Sequence, residues 1–265
     1  MAITYNNLYL DIRQQLRRSG IEAATLEARE LVCFGTGKSR EELARDGGLY
    51  ASPELERRVR ELVDRHLAGE PVAYLIGEWE FYGLPLDIST EVLIPRPDTE
   101  VLAEQAISYV REQGECRVLD LCAGSGSLKI CRQNIRRNSL TARVVPMQAD
   151  AREKPEKSLG EFQCIVSNPP YIPRADIDTL DTSVKDYEPH LALDGGEDGL
   201  DFYRTISEKW KEALVPGGRL YFEVGIGQAD SVLRIMRTQG FGDIQVVKDL
   251  HGIPRVVFGT LCTEL

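Results

Sequence analysis

CRVLDLCAGSGSLKICRQNIRRN, residues 116–138, decides the fold. A short apolar run, VLDL, ends at the glycine turn Gly124-Ser125-Gly126, and apolar residues three and four apart follow it. That is strand, tight turn, helix. Glycines let the backbone come close to a ligand, and the start of the helix offers free N–H groups. Asp120, near the strand tip, selects among ligands. A carboxylate suits an amino group and repels a diphosphate, and the third glycine of a dinucleotide fingerprint is missing. The residues favour a nucleoside with a cationic amino-acid tail over NAD. Alone, the turn is a weak signal, because such turns also occur in folds that bind nothing.

Strands and helices go on alternating downstream. Strands are expected at ARVVPMQAD (142–150), FQCIVSN (162–168) and RLYFEVG (219–225), with a last pair around DIQVVKDL (243–250) and PRVVFGTL (254–261). Helices are expected at DFYRTISEKWKEAL (201–214) and QADSVLRIMRTQ (228–239). This pattern predicts an α/β fold, a mostly parallel sheet wrapped by helices with an antiparallel final pair. Upstream, EVLIPRPDTE (91–100) sets Pro95, Arg96 and Pro97 before an Asp-Thr-Glu helix start. Residues 71–95 mix aromatics, β-branched residues and glycines, and read as a β-hairpin connector. Residues 1–70 carry only helical periodicity, including SPELERRVRELVDRHL (52–67) with its Ser-Pro cap, and predict a small helical bundle.

The chain has 265 residues, 42% hydrophobic and 28% charged, with a formal net charge of −10. A protein that grips free nucleic acid normally carries a basic excess. The acidity favours a protein or small-molecule partner, and the basic run RQNIRRN (132–138) reads as a solvated helix face. No apolar run is long enough to span a membrane, and the N-terminus does not read as a secretion signal. The six cysteines form no Cys-x-x-Cys pair and only three histidines exist, so no zinc site is expected. Free thiols in a reducing cytoplasm are the expectation.

The strong chemical signal is SNPPYIP, residues 167–173. A buried strand ends on Asn168, two prolines fix the next φ angles, and Tyr171 adds a flat ring. The motif lies at the C-terminal end of a core strand, where open α/β sheets place their ligands. An amide nitrogen is a poor nucleophile because its lone pair is delocalised. Two acceptors on an –NH2 group, the Asn168 side-chain oxygen and the Pro169 carbonyl, can aim that lone pair at an electrophile. The bland alternative is a proline-stiffened loop with a capping Asn.

At these residues the chain resembles the S-adenosylmethionine-dependent protein-(glutamine-N5) methyltransferases of peptide-chain release factors, the HemK/PrmC type. LIPRPDTE (93–100), VLDLCAGSGS (118–127), SNPPYIP, DYEPHLALDGGEDGLDFYR (186–204), the FEVG–Gln segment (222–228) and KDLHGIPRVVFG (248–259) carry the resemblance. It implies a Rossmann-like methyltransferase domain over 96–265 and a release-factor docking role for 1–70. It implies a substrate, the glutamine of the Gly-Gly-Gln loop of a release factor. It assigns catalysis to Asn168, Pro169, Pro170 and Tyr171, and puts Glu188 and Pro189 at the substrate mouth. Cofactor contacts are implied for Asp120, Cys122, Gly124, Ser125, Gly126, Asp150, Asn168, Arg96 and Thr99. A cytoplasmic monomer is expected. Two other readings stay open, a non-catalytic release-factor binder and an amino-methyltransferase of nucleic acid.

The chain departs from the pattern after the glycine turn. In the family a helix and a second strand intervene before the helix resembling KICRQNIRRN, and that strand ends on the acid that holds the ribose. Here they are absent. One outcome is a sheet with a gap beside its first strand. The other, slightly favoured here, is a closed-up βαβ unit with 142–149 as the neighbouring strand and Asp150 at its tip, 24 residues after Gly126. An artefactual deletion is a third possibility. His190 reads as a hydrogen-bonded loop residue. Trp79, Phe81 and Tyr82 are expected to pin the hairpin to the sheet. GGEDGLD (195–201) is equally a mobile flap or a plain loop.

Overall fold

The computed structural model describes residues 2–124 and 128–262. In chain order the helices are α1 (Tyr5–Arg18), α2 (Ala24–Thr36), α3 (Arg40–Arg45), α4 (Pro53–Leu67), α5 (Val72–Ile76), α6 (Pro97–Gln113), α7 (Leu128–Arg137), α8 (Thr182–Lys185), α9 (Asp201–Lys209) and α10 (Ala229–Thr238). The strands are β1 (Glu78–Phe81), β2 (Leu84–Asp87), β3 (Val118–Leu121), β4 (Phe162–Ser167), β5 (Leu214–Glu223), β6 (Phe241–Lys248) and β7 (Pro254–Leu261). The chain divides into two compact units, Met1–Glu78 with Thr182–Tyr187, and Trp79–Asp181 with Glu188–Leu265.

The first unit is helical. The Thr4 hydroxyl caps α1, Ser39 and Glu42 form a reciprocal capping box on α3, and Ser52 caps α4 with Pro53 in its first turn. Leu8, Ile12 and Leu16 of α1 share one face at three-to-four spacing and are buried, as are Leu31 and Val32 of α2 and Val59 of α4. Gly35 lets α2 and α4 approach, since a Cβ there would meet Val59 Cγ2 at 2.6 Å.

The second unit is built on a five-stranded sheet in the order β3-β4-β5-β7-β6. β3, β4 and β5 are parallel, and β7 runs antiparallel to both β5 and β6. Side chains alternate across the sheet. Leu220 and Phe222 of β5 join Ile165, Ile206, Trp210, Val232 and Met236 on the α9 and α10 face. Tyr221 points the other way, to Leu102, Ala106 and Tyr109 of α6 and to Phe258, on which it stacks at 4.7 Å. This is helix, sheet, helix, the Rossmann-like layering expected from the alternation.

The closed-up βαβ unit does not form. Residues 142–149 make no strand, and β4 is the only strand paired with β3 among the described residues. β3 is an edge strand, with Val118 43% exposed, and Val145 and Met147 of the expected strand lie at 79% and 59%. A β-branched run becomes a strand only when a partner ladder exists. The helix α7 is engaged elsewhere. Asn134 accepts from Asp87 N at 2.6 Å and donates to Asp87 O at 3.0 Å, and Arg137 pairs with Asp87 at 2.5 Å. Those polar contacts pin the hairpin; of the three expected aromatic pins, Trp79 and Phe81 are half-buried and Tyr82 is exposed. Arg132, Gln133, Arg136 and Arg137 are solvated, as the basic run suggested.

Candidate functional site

β4 delivers the motif. Ser167 is in register with Phe222 of β5, so Asn168 and Glu223 come next to each other at the ends of neighbouring parallel strands. Glu223 follows the alternation to the α6 face. The first turn of α6, started by Pro97 at a position that needs no N–H, brings Thr99 over the same spot. Asn168 Nδ2 donates to Thr99 Oγ1 at 3.2 Å. Thr99 and Asn168 also stand beside the Glu223 carboxyl and favour its charged form. Burial nonetheless pushes that group up to about 7, with Asp98 adding to the rise and Arg255 opposing it. Glu223 is 2% exposed, and its Oε2 has no hydrogen-bond partner.

Pro169 and Pro170 are buried, and Tyr171 is half-buried. The backbone of Tyr171 is held by Gln228, whose Nε2 donates to the Tyr171 carbonyl at 2.9 Å while its Oε1 accepts from Gly225 N at 3.0 Å. The 195–201 loop is strapped along the same exit. Gly195 N donates to Ile172 O at 2.9 Å and Arg174 N to Gly196 O at 2.8 Å. Gly199 has φ +73°, and a Cβ on it would lie 2.3 Å from the Tyr171 oxygen. Close approach explains Gly195 and Gly199, and in this structure the loop braces the motif.

Arg96 and Glu188 form a pair at 2.5 Å. Glu188 is 5% exposed, with Oε2 unpartnered, and burial outweighs Arg96 and pushes its carboxyl up. Pro189 follows it, half-buried, and His190 is exposed. Arg96, Asp98, Arg255 and Glu223 all act electrostatically on Tyr171. The motif is thus ringed by charged groups: Arg96 and Asp98 at the start of α6, Glu188 in the loop after α8, Glu223 of β5 and Arg255 of β7; Glu188 and Glu223 each keep an unsatisfied buried oxygen.

The cofactor side is uneven. Asp120 ends up solvent-exposed on the open flank of β3 with no ion pair among the described residues. The protein packed around it still pushes its carboxyl up, to about 7, by desolvation. Cys122 and Gly124 follow with φ of +64° and +123°, a turn that presents the backbone outward. Ser125 and Gly126 lie outside the described residues. Asp150 is near enough to Cys122 to raise its thiol, so it flanks the same end of the sheet. Its carboxylate is taken, however, by Arg152 N at 2.9 Å and by the Arg152 guanidinium at 2.9 Å. An unpaired carboxylate fits the ammonium of an S-adenosylmethionine amino-acid tail. Among the described residues no second strand beside β3 brings a free carboxylate to fit a ribose.

Sequence reasoning missed Glu223 as an individual residue. Its signal was a lone acid closing the apolar run LYF at the tip of a core strand.

Residues 7–77 match the PrmC N-terminal domain. A release factor glutamine methyltransferase of Geobacter sulfurreducens is 38% identical over 274 residues, covering 94% of this chain and 94% of its own length. The chain belongs to the release factor glutamine methyltransferase family. A Bradyrhizobium diazoefficiens member is 35% identical and covers 92% of this chain and 90% of its own. The structure of the human METTL16 catalytic domain, solved with an RNA hairpin, is 13% identical, covers 77% of this chain and 84% of its own, and has a TM-score of 0.51, a likeness of fold alone. The Geobacter alignment is longer than the 265 residues of this methyltransferase, so the relative has residues where this chain has none.

Proposed function

We infer that this methyltransferase transfers a methyl group from S-adenosylmethionine to the side-chain amide nitrogen of a release-factor glutamine, the one in the Gly-Gly-Gln loop. When bound, the cofactor supplies an electrophilic methyl group. Asp120 holds its amino end, with the Cys122–Gly124 backbone beside it. Asn168 and Pro169 do the positioning. With its nitrogen turned in to Thr99, Asn168 offers Oδ1 outward as one acceptor for the substrate –NH2, and the Pro169 carbonyl is the other. Both bonds hold the amide so that its lone pair faces the methyl donor, and they strengthen as the nitrogen gains positive charge. Pro170 stiffens the turn, Tyr171 packs on the amide plane, and Arg96, Glu188 and Pro189 border the entrance. The helical unit docks the release factor. The protein acts as a monomer in the cytoplasm, without nucleic acid.

The inward nitrogen of Asn168 carries this reading. Incubation of the protein with release factor and methyl-labelled S-adenosylmethionine tests it. Label on the peptide that holds the glutamine, absent with Asn168→Ala, is expected; no label from the folded wild type overturns it. The bare edge of β3 favours a second reading, a release-factor binder with a weakened cofactor site. That protein would capture release factor without modifying it.

A further inference from the structure

We propose that Glu223 is a positioning residue that decides which end of the Asn168 amide faces the substrate. The proposal rests on Asn168 being the amide grip.

An Asn side chain has a donating end and an accepting end of nearly equal size, so packing alone does not choose between them. Its neighbours choose. An ionised carboxylate only accepts. Facing Glu223, the Thr99 hydroxyl turns its hydrogen to the carboxylate and leaves its lone pairs to Asn168 Nδ2, which lies 3.2 Å away. The nitrogen end of Asn168 is drawn inward by both groups, and Oδ1 is left to accept from the substrate.

A protonated Glu223 has a hydrogen of its own to give. It can donate to the Thr99 oxygen or to Asn168 Oδ1, and the second option turns the amide nitrogen outward. Two donors, Asn168 Nδ2 and the substrate –NH2, would then face each other. The groups around the carboxyl set its charge: Asp98 and Thr99 from α6, Asn168 and Tyr171 from the β4 exit, Arg255 from β7 and Tyr203 from α9. Arg255 is shared with Asp98 at 2.8 Å and Asp249 at 3.0 Å, so it neutralises Glu223 incompletely. The unpartnered Oε2 marks a carboxyl built into the site without being fully satisfied there. Such a group is costly to keep unless it has work to do.

The test is a pH titration of the Asn168 side-chain NH2 resonances in the full-length protein, assigned by their loss in Asn168→Asp. In the wild type they are expected to shift with a midpoint near pH 7, and in Glu223→Gln to stay fixed between pH 6 and 8. Wild-type resonances that do not move across that range overturn the proposal, and this arm needs no folded variant. With release factor as substrate, kcat/KM should rise with pH through the same midpoint in the wild type. In Glu223→Gln the profile should be flat and about 10- to 100-fold lower at pH 8. A Glu223→Gln profile of wild-type shape overturns the proposal too. Should the protein methylate nothing, the activity reading falls while the resonance titration still decides the role of Glu223.

Discussion

The smallest unit that explains the site is the side-chain amide of Asn168. On the proposed mechanism its two ends do different jobs, told apart by a threonine and a buried acid. Asn168→Asp removes the donor to Thr99 and sets a second carboxyl beside Glu223. Two carboxyls in one desolvated space resist ionising together. Methyl transfer is expected to fall at least about 100-fold in kcat while the far-UV spectrum stays unchanged. Wild-type turnover by this variant would remove Asn168 from the mechanism. Glu223 also has a stability signature with a definite sign. Its folded-state pKa, about 7, lies above its ordinary 4.5. The folded protein therefore holds the proton more tightly than the unfolded chain. That contribution is complete below pH 4.5 and is lost as pH rises through 7, up to about 3 kcal/mol in all. Glu223→Gln escapes the loss. At pH 8 it should melt a few degrees above the wild type, and at pH 4 it should show no such gain. A lower melting temperature at pH 8 would show that the carboxylate is better satisfied than its burial implies.

Elements, rather than residues, hold the motif still. The 195–201 loop and Gln228 of the β5–α10 turn grip the backbone of Tyr171 from two sides, and glycines make the approach possible. Gly199→Ala adds a Cβ 2.3 Å from the Tyr171 oxygen at φ +73°. Strain and overlap together should cost about 2–4 kcal/mol, and the displaced carbonyl should lower kcat as well. Gly217→Ala is the control. It has φ +79° but open space around it, so it should cost only about 1 kcal/mol and leave kcat unchanged. Equal activities in the two variants would mean that the loop does not brace the motif. The same scale shows what could be read from sequence. VLDL, FQCIVS and LYFE announced themselves because each is a short apolar run followed by turn chemistry, and Pro97 marked the start of α6. ARVVPMQA had the same apolar look and failed, because ladder bonds are non-local and no partner strand is offered to it. Glu223 was hidden for a related reason. Its meaning comes from standing beside Asn168, 55 positions away in sequence, and only strand register reveals that.

At the scale of the whole molecule, this is a family fold with one flank of its sheet bare. The alignment with the Geobacter relative runs to 274 positions against the 265 residues of this chain, and among the described residues β3 has β4 as its one neighbour. The proposed substrate side runs from α6 through β4 and β5 to β7. On the proposed cofactor side Asp120 serves the amino group, and among the described residues no free acid stands ready for a ribose, because Asp150 is committed to Arg152. Hydrogen bonds to a charged group contribute about 1.5–3 kcal/mol each, so a missing ribose acid weakens binding by at least about tenfold. What affinity remains should depend on Asp120 alone. In calorimetric titration with S-adenosylmethionine, Asp120→Asn is expected to lower the affinity a further tenfold or more, and Asp150→Ala to leave it within about twofold. If Asp150→Ala instead weakens binding as much as Asp120→Asn, the Asp150 carboxylate leaves Arg152 for the ribose when the cofactor arrives. The loop after residue 142 would then do the work of the absent strand. If neither substitution matters, the amino-acid tail is held elsewhere, and the carboxylate at the tip of β3 has lost the role its position assigns to it.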